Sequence, residues 1–78
     1  MATSIVKVYN NTSGKWARGV RVVLHLDNAL GGRTHPVNTD ESGSAIIDHS
    51  TMGNATVFLD GKESGMMRTP GSGVFYIN

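Results

Sequence analysis

Three histidines, His25, His35 and His49, are the first residues of this chain to weigh for chemistry. A three-histidine zinc site would need all three to converge, and no two stand at the spacing of a metal-binding pair. The reading is therefore three strand or loop histidines, with no metal and no cofactor. Asp48, His49 and Ser50 supply the residue types of a nucleophilic triad. Adjacent residues of a strand point to opposite faces, so this set does not meet in space. A G-x-S-x-G nucleophile elbow is missing. Cysteine is absent, which removes a thiol nucleophile, a disulfide framework and a Cys-based zinc site. These residues imply a protein that is not an enzyme.

Residues suited to contact are easier to find. Trp16 beside Arg18 can stack on a sugar or anchor a protein partner; the same Trp can instead plug one end of a small core. Met66, Met67 and Arg68 sit among Gly, Ser and Thr in the segment 61–73. Paired methionines can form an adaptable apolar surface, or lie buried beneath a hairpin. Gly31-Gly32-Arg33 has the composition of a small anion nest, against the plain alternative of a turn.

Composition sets the scale on which such residues can be placed. The chain has 78 residues, enough for one domain (residues 1–78) and one core. A chain of that size buries only about 60% of its unfolded surface, so a metal, a crosslink or self-association is a common supplement. Hydrophobic residues make up 38%, and the 10 glycines come in addition, an ordinary globular balance. Seven basic and six acidic residues leave a net charge of +1, scattered without a basic run. Neither nucleic acid nor an anionic membrane is implied as a partner. Apolar runs fall far short of the ~20 residues that span a bilayer. Met1-Ala2-Thr3-Ser4 does not read as a signal peptide, leaving a cytoplasmic chain or one whose signal was removed. Three Asn-x-Ser/Thr sites, at Asn10, Asn11 and Asn54, read as chance matches without such a signal.

The elements that must position these residues read as strands. Glycine interrupts most windows long enough for a helix, and Val, Ile and Thr outnumber Ala and Leu. Residues 4–10 form the first expected strand, followed by the turn cluster 11–15. In residues 19–27, Val20, Val22, Leu24 and Leu26 line one face at period two. Pro36 lacks an N–H and restricts residues 33–39 to an edge. Asp40-Glu41-Ser42-Gly43 is a tight turn, then residues 44–48 place Ala45 and Ile47 inward. In residues 54–60, Ala55, Val57 and Leu59 share a face, and Asp60-Gly61 is a hairpin signal. Residues 62–67 return as a strand, 68–73 form a loop, and 74–78 close the chain. Seven short strands at this spacing imply an all-β, antiparallel sandwich or small barrel.

Gly14 with Gly19-Val20-Arg21-Val22, then Thr39-Asp40-Glu41-Ser42-Gly43-Ser44-Ala45, then Gly53-Asn54-Ala55-Thr56-Val57, resemble the carboxypeptidase regulatory-like family. The resemblance runs through residues 6–61. It implies a transthyretin (prealbumin)-like fold: a seven-stranded, antiparallel Greek-key sandwich, immunoglobulin-like in kind. It also implies a spacer, stabilising or binding role, and an extracellular or cell-surface location. The related 5-hydroxyisourate hydrolase ends in Tyr-Arg-Gly-Ser, whereas this chain ends Phe75-Tyr76-Ile77-Asn78, so that activity is not carried over. Collagen-adhesin B-type domains of related fold crosslink a first-strand Lys to a last-strand Asn, for which Lys7 and Asn78 are the candidates. That bond needs a buried Lys and a buried acid. Lys7 alternates with the core pair Val6 and Val8, while Glu41 and Glu63 fall in polar segments.

The sequence thus points to a non-catalytic structural or protein-interaction module that associates with itself. Edge strands left open in a small sandwich are the physical reason. Carbohydrate binding through Trp16 or the 61–73 segment is the alternative from a different class, and the Lys7–Asn78 crosslinked domain is a further one.

Overall fold

A computed structural model describes residues 2–26, 32–49 and 53–77. Among them the chain is all strand and turn, without helix. The strands are β1 (Ala2–Asn10), β2 (Lys15–Trp16), β3 (Arg21–Leu26), β4 (Val37–Asn38), β5 (Ser44–His49), β6 (Gly53–Leu59), β7 (Lys62–Thr69) and β8 (Ser72–Ile77). They form two four-stranded sheets. In the first, β1 is central: β8 lies along one edge, and β5 then β2 along the other. The second runs β4-β3-β6-β7.

The sheets enclose one core, built from the period-two positions. Val6 and Val8 of β1, Val22, Leu24 and Leu26 of β3, Ala45 and Ile47 of β5, and Ala55, Val57 and Leu59 of β6 are all buried. Met67 from β7 joins them, and Phe75 and Ile77 pack against the cluster from β8. Each strand buries one face and leaves the other to solvent, the pattern of a two-layer β domain.

Turn chemistry sets the connections. Asp60 has φ 52° and Gly61 φ 84°, so both central hairpin residues are left-handed, as an Asp-Gly two-residue turn requires. Asp60 also ties the turn to β3, because its Oδ1 accepts from the Arg21 N–H at 3.0 Å. At the 40–43 turn, Asp40 Oδ1 accepts from the Ser42 N–H, the Ser42 hydroxyl and the Ser44 N–H, at 2.9, 2.8 and 3.0 Å. These bonds favour the charged form, and hold the Asp40 carboxyl below its ordinary value of 3.8; the Ser42 hydroxyl contributes most.

Four features depart from the sequence reading. First, the pairs are antiparallel except β1 with β8, which is parallel. Parallel neighbours need a long crossover; here β8 arrives from the opposite sheet, so the intervening strands take the place of a helix. Second, residues 15–16 leave the turn cluster and pair back onto β1 as β2, with Tyr9 opposite Trp16. Asn10 makes this reversal by accepting from the Thr12 and Ser13 N–H groups through its side chain. Third, the expected strand at 33–39 contracts to Val37–Asn38 plus an isolated bridge between His25 and Arg33. Pro36 stands at the break. Fourth, the expected loop at 68–73 shortens to Pro70 and Gly71, where the chain changes sheets.

Candidate interaction surfaces

Strand alternation distributes the contact candidates. Met66 and Met67 are neighbours on β7, so they face opposite ways. Met66 is 60% exposed on the outer face and Met67 is 9% exposed in the core. The paired-methionine surface read in the sequence is therefore a single exposed Met66, with Arg68 two positions on, also outward. Met67 belongs to packing.

Trp16 does not plug the core. It lies 41% exposed on the outer face of the first sheet, edge-on to Tyr9 with ring centroids 5.3 Å apart. Tyr76 flanks Tyr9 from β8 at 6.1 Å, also edge-on. The Lys7 ammonium sits 4.3 Å from the centre of the Trp16 ring, a cation–π contact. Interplanar angles of 87° and 71° mean that the three rings offer no common flat platform for stacking a sugar. Arg18 is separated from this cluster and pairs with Glu41 at 3.9 Å. With side chains 73% and 86% exposed, that pair adds little stability.

The rest of that face follows from register. β1 turns Ile5, Lys7 and Tyr9 outward; β5 sets Ile46 opposite Ile5, and β8 sets Val74 beside Lys7 and Tyr76 beside Tyr9. Six large hydrophobic residues stand exposed among the described ones, and Ile5, Trp16, Ile46, Val74 and Tyr76 all lie here; Met66 is the sixth. A contiguous apolar patch of this kind marks contact surfaces, whereas isolated exposed hydrophobics do not.

The adjoining β8 edge is also distinctive. A sheet edge ordinarily carries charge, proline or a very short strand to prevent pairing. β7 carries Lys62, Glu63 and Arg68, β5 carries Asp48, and β4 has two residues after Pro36. β8 reads Ser-Gly-Val-Phe-Tyr-Ile and has none of these devices.

The histidines are separated by the sandwich. His25 is on the outer face of the second sheet, 6.1 Å from the Phe58 ring. His35 is exposed in the segment before β4. His49 is buried against the first sheet, where its Nε2 shares a 2.7 Å hydrogen bond with the Ser4 hydroxyl. The described residues contain no group of three or more potential metal ligands. Asp48 points outward and accepts from the Thr3 hydroxyl at 2.9 Å, so it does not orient His49. Ser50 lies outside the described residues. Sequence reasoning missed Ser4 because its partner is 45 positions away. Ser4 has no exposed surface, and a nucleophile must reach its substrate.

Lys7 lies on the outer side of β1, on Trp16, away from the buried setting that a Lys–Asn crosslink needs. Asn78, its candidate partner, lies outside the described residues, as does Gly31 of the candidate nest. Arg33 and Gly32 are exposed beside β3. The chain matches no protein-family model, no curated protein and no solved structure.

Proposed function

We propose that the chain is a non-catalytic interaction module whose partner is a second copy of itself, docked through the β8 edge and the adjoining apolar face of the first sheet. The carrying observation is the coincidence of the two: the edge without charge or proline borders the face that holds Ile5, Trp16, Ile46, Val74 and Tyr76. A β8–β8 pair would satisfy open backbone groups and join two apolar faces into one. The edge-to-face rings support a protein partner over a carbohydrate.

Size decides how tight this is. The face spans about three strands at ~4.8 Å and ~20 Å along β1, a footprint of roughly 300 Å². A stable interface covers ~800 Å² per partner, so the module associates weakly unless the edge adds to it. Light scattering at ~10 μM and ~1 mM, bracketing weak association, tests this. The mass should rise from 8.3 kDa toward twice that value with concentration. Val74→Lys should hold it at the monomer with an unchanged circular dichroism spectrum. A folded chain that stays monomeric at both concentrations overturns the self-association.

The same proposal extends to family. We read the sandwich as a carboxypeptidase regulatory-like domain with the seven-stranded Greek-key, prealbumin-like arrangement, β2 counting as part of the connection from β1 to β3. What supports this is the Thr39–Ala45 turn: Gly43 is left-handed, at φ 75°, and seats against β1 and β2.

A further inference from the structure

We infer that the outer face of the second sheet holds a binding groove for a small aromatic carboxylate, independent of the docking face on the first sheet. The groove has a volume of about 480 Å³, within the ~300–1,000 Å³ of small-molecule sites. Its floor is apolar: Val23 on β3 and, opposite it in register, Phe58 on β6, both half-buried. Its wall is the segment before β4, which folds along β3 and presents Pro36. Thr34 fastens that wall twice: its N–H donates to the Leu24 carbonyl at 2.9 Å, and its hydroxyl accepts from the Leu24 N–H at 3.0 Å.

Arg33 with His25, and Arg21, stand at the two ends of this floor. His25 and Arg33 share one register level through their isolated bridge. Arg21 is four residues back along β3, ~13 Å away, with its guanidinium over the Gly61 turn. Among the described residues Arg18–Glu41 is the sole ion pair, so Arg21 and Arg33 carry uncompensated charge. Among the described residues the nearest acids are Asp60, in the hairpin turn beside Arg21, and Glu63, on β7 level with Val23 and Phe58 at mid-floor. Among the described residues the net positive end is therefore that of Arg33, with His25 beside it. A carboxylate fits there, where a guanidinium gives two parallel hydrogen bonds and the imidazole a third. A flat ring fits over Val23, between Phe58 and Pro36. Charge at one end and a half-buried aromatic floor favour a small amphiphilic anion over an acidic peptide, which would need cations along its length.

An amide-resolved NMR titration of the full chain with 2-naphthoate tests this, with 2-naphthalenemethanol, inorganic phosphate and hexaglutamate as comparisons. The Val23, His25, Arg33, Thr34 and Phe58 amides should shift together and saturate with a dissociation constant on the order of 1 mM, as suits a ligand of that size. The neutral alcohol and phosphate should each bind about tenfold more weakly, having lost one of the two contacts. Arg33→Gln should weaken naphthoate about tenfold. Arg21→Gln, at the end where Asp60 lies, should weaken it less. Both side chains are exposed, and the variants' amide spectra report the fold directly. Several results would overturn the inference: equal binding of the alcohol, equal binding of phosphate, tighter binding of hexaglutamate, shifts confined to the first sheet, or an Arg33→Gln variant that is folded and binds normally. The Val74→Lys monomer should bind naphthoate unchanged, so failure of self-association and failure of the groove are read separately.

Discussion

Gly43→Ala is the substitution whose cost can be worked most fully, because Gly19 supplies a matched control. Both glycines have φ 75°, a left-handed backbone. A Cβ at Gly19 would meet nothing within 4 Å. At Gly43 it would stand 2.7 Å from the Val8 carbonyl oxygen, 2.9 Å from Trp16 Cβ and 3.3 Å from the Ala17 nitrogen. Comfortable carbon contacts are ~3.5–4.0 Å, so the turn must move. It has little freedom to do so. The Gly43 carbonyl accepts from the Val8 N–H at 2.8 Å, and the Val8 carbonyl accepts from the Ala17 N–H at 2.8 Å. A left-handed alanine costs about 1–2 kcal/mol, less about 0.4–1 recovered by stiffening the unfolded chain. Overpacking adds about 1–3 kcal/mol at Gly43 alone. The expected losses are therefore about 1 kcal/mol for Gly19→Ala and about 2–4 kcal/mol for Gly43→Ala. A domain of this length changes its melting temperature by about 6 °C per kcal/mol. Thermal unfolding followed by circular dichroism should show a drop of about 6 °C at Gly19 and about 12–24 °C at Gly43. Equal drops would refute the reasoning, since they would leave strain as the whole effect and the close approach as none of it.

Two further perturbations test other links. Ile46 and Ile47 are chemically identical neighbours, 60% and 1% exposed. Ile47→Ala should cost about 2–5 kcal/mol in urea unfolding and Ile46→Ala within about 0.5 kcal/mol, while only Ile46→Ala should weaken self-association; similar stabilities would mean the register of β5 is wrong. Asp40→Asn keeps an acceptor oxygen in the 40–43 turn but removes its charge. Since folding lowers the Asp40 carboxyl value, its charge stabilises the fold above the unfolded value and the contribution fades as pH falls through the folded one. The wild-type advantage in melting temperature should shrink from about pH 5 to about pH 2, and an advantage constant with pH would refute the assignment.

The interior was legible because it is written locally. Val20, Val22, Leu24 and Leu26 alternate within one strand, and period two assigns them a common face without knowledge of the neighbour. Asp60-Gly61 is equally local: two residues that tolerate a left-handed backbone make the turn. Asp40 needed only its own loop. What could not be read is what two distant segments do to each other. Ser4 meets His49, β8 runs parallel to β1, and Arg33 folds onto His25. Each is decided by which strand reaches which edge, and hydrophobic patterning is the same for every permitted arrangement. The choice between the two readings of Trp16, contact residue or core plug, has this origin. Its composition fitted a core plug, but two residues of β2 pairing with β1 turned it outward onto Tyr9.

The same separation explains why both proposed contact surfaces fall on outward positions. Inward residues are mostly Val, Leu, Ile or Ala, a set that any two-layer β domain could use. Outward residues are free of packing, and solvation favours polar side chains there. On the first sheet that expectation fails, since Ile5, Trp16, Ile46, Val74 and Tyr76 are held together in water around a lone Lys7. On the second it fails differently, with two arginines that have no ion-pair partner among the described residues at the ends of a Val23–Phe58 floor. Neither arrangement contributes to the core. A side chain can be exchanged on either face with little loss of stability, so both faces are open to selection for contact alone. Under the two proposals the sheets have separate tasks on one scaffold: the apolar face would join copies, and the groove would stay accessible on the far side of the core. Docking by the first sheet would leave the second uncovered, which is why loss of association in Val74→Lys should leave binding in the groove intact.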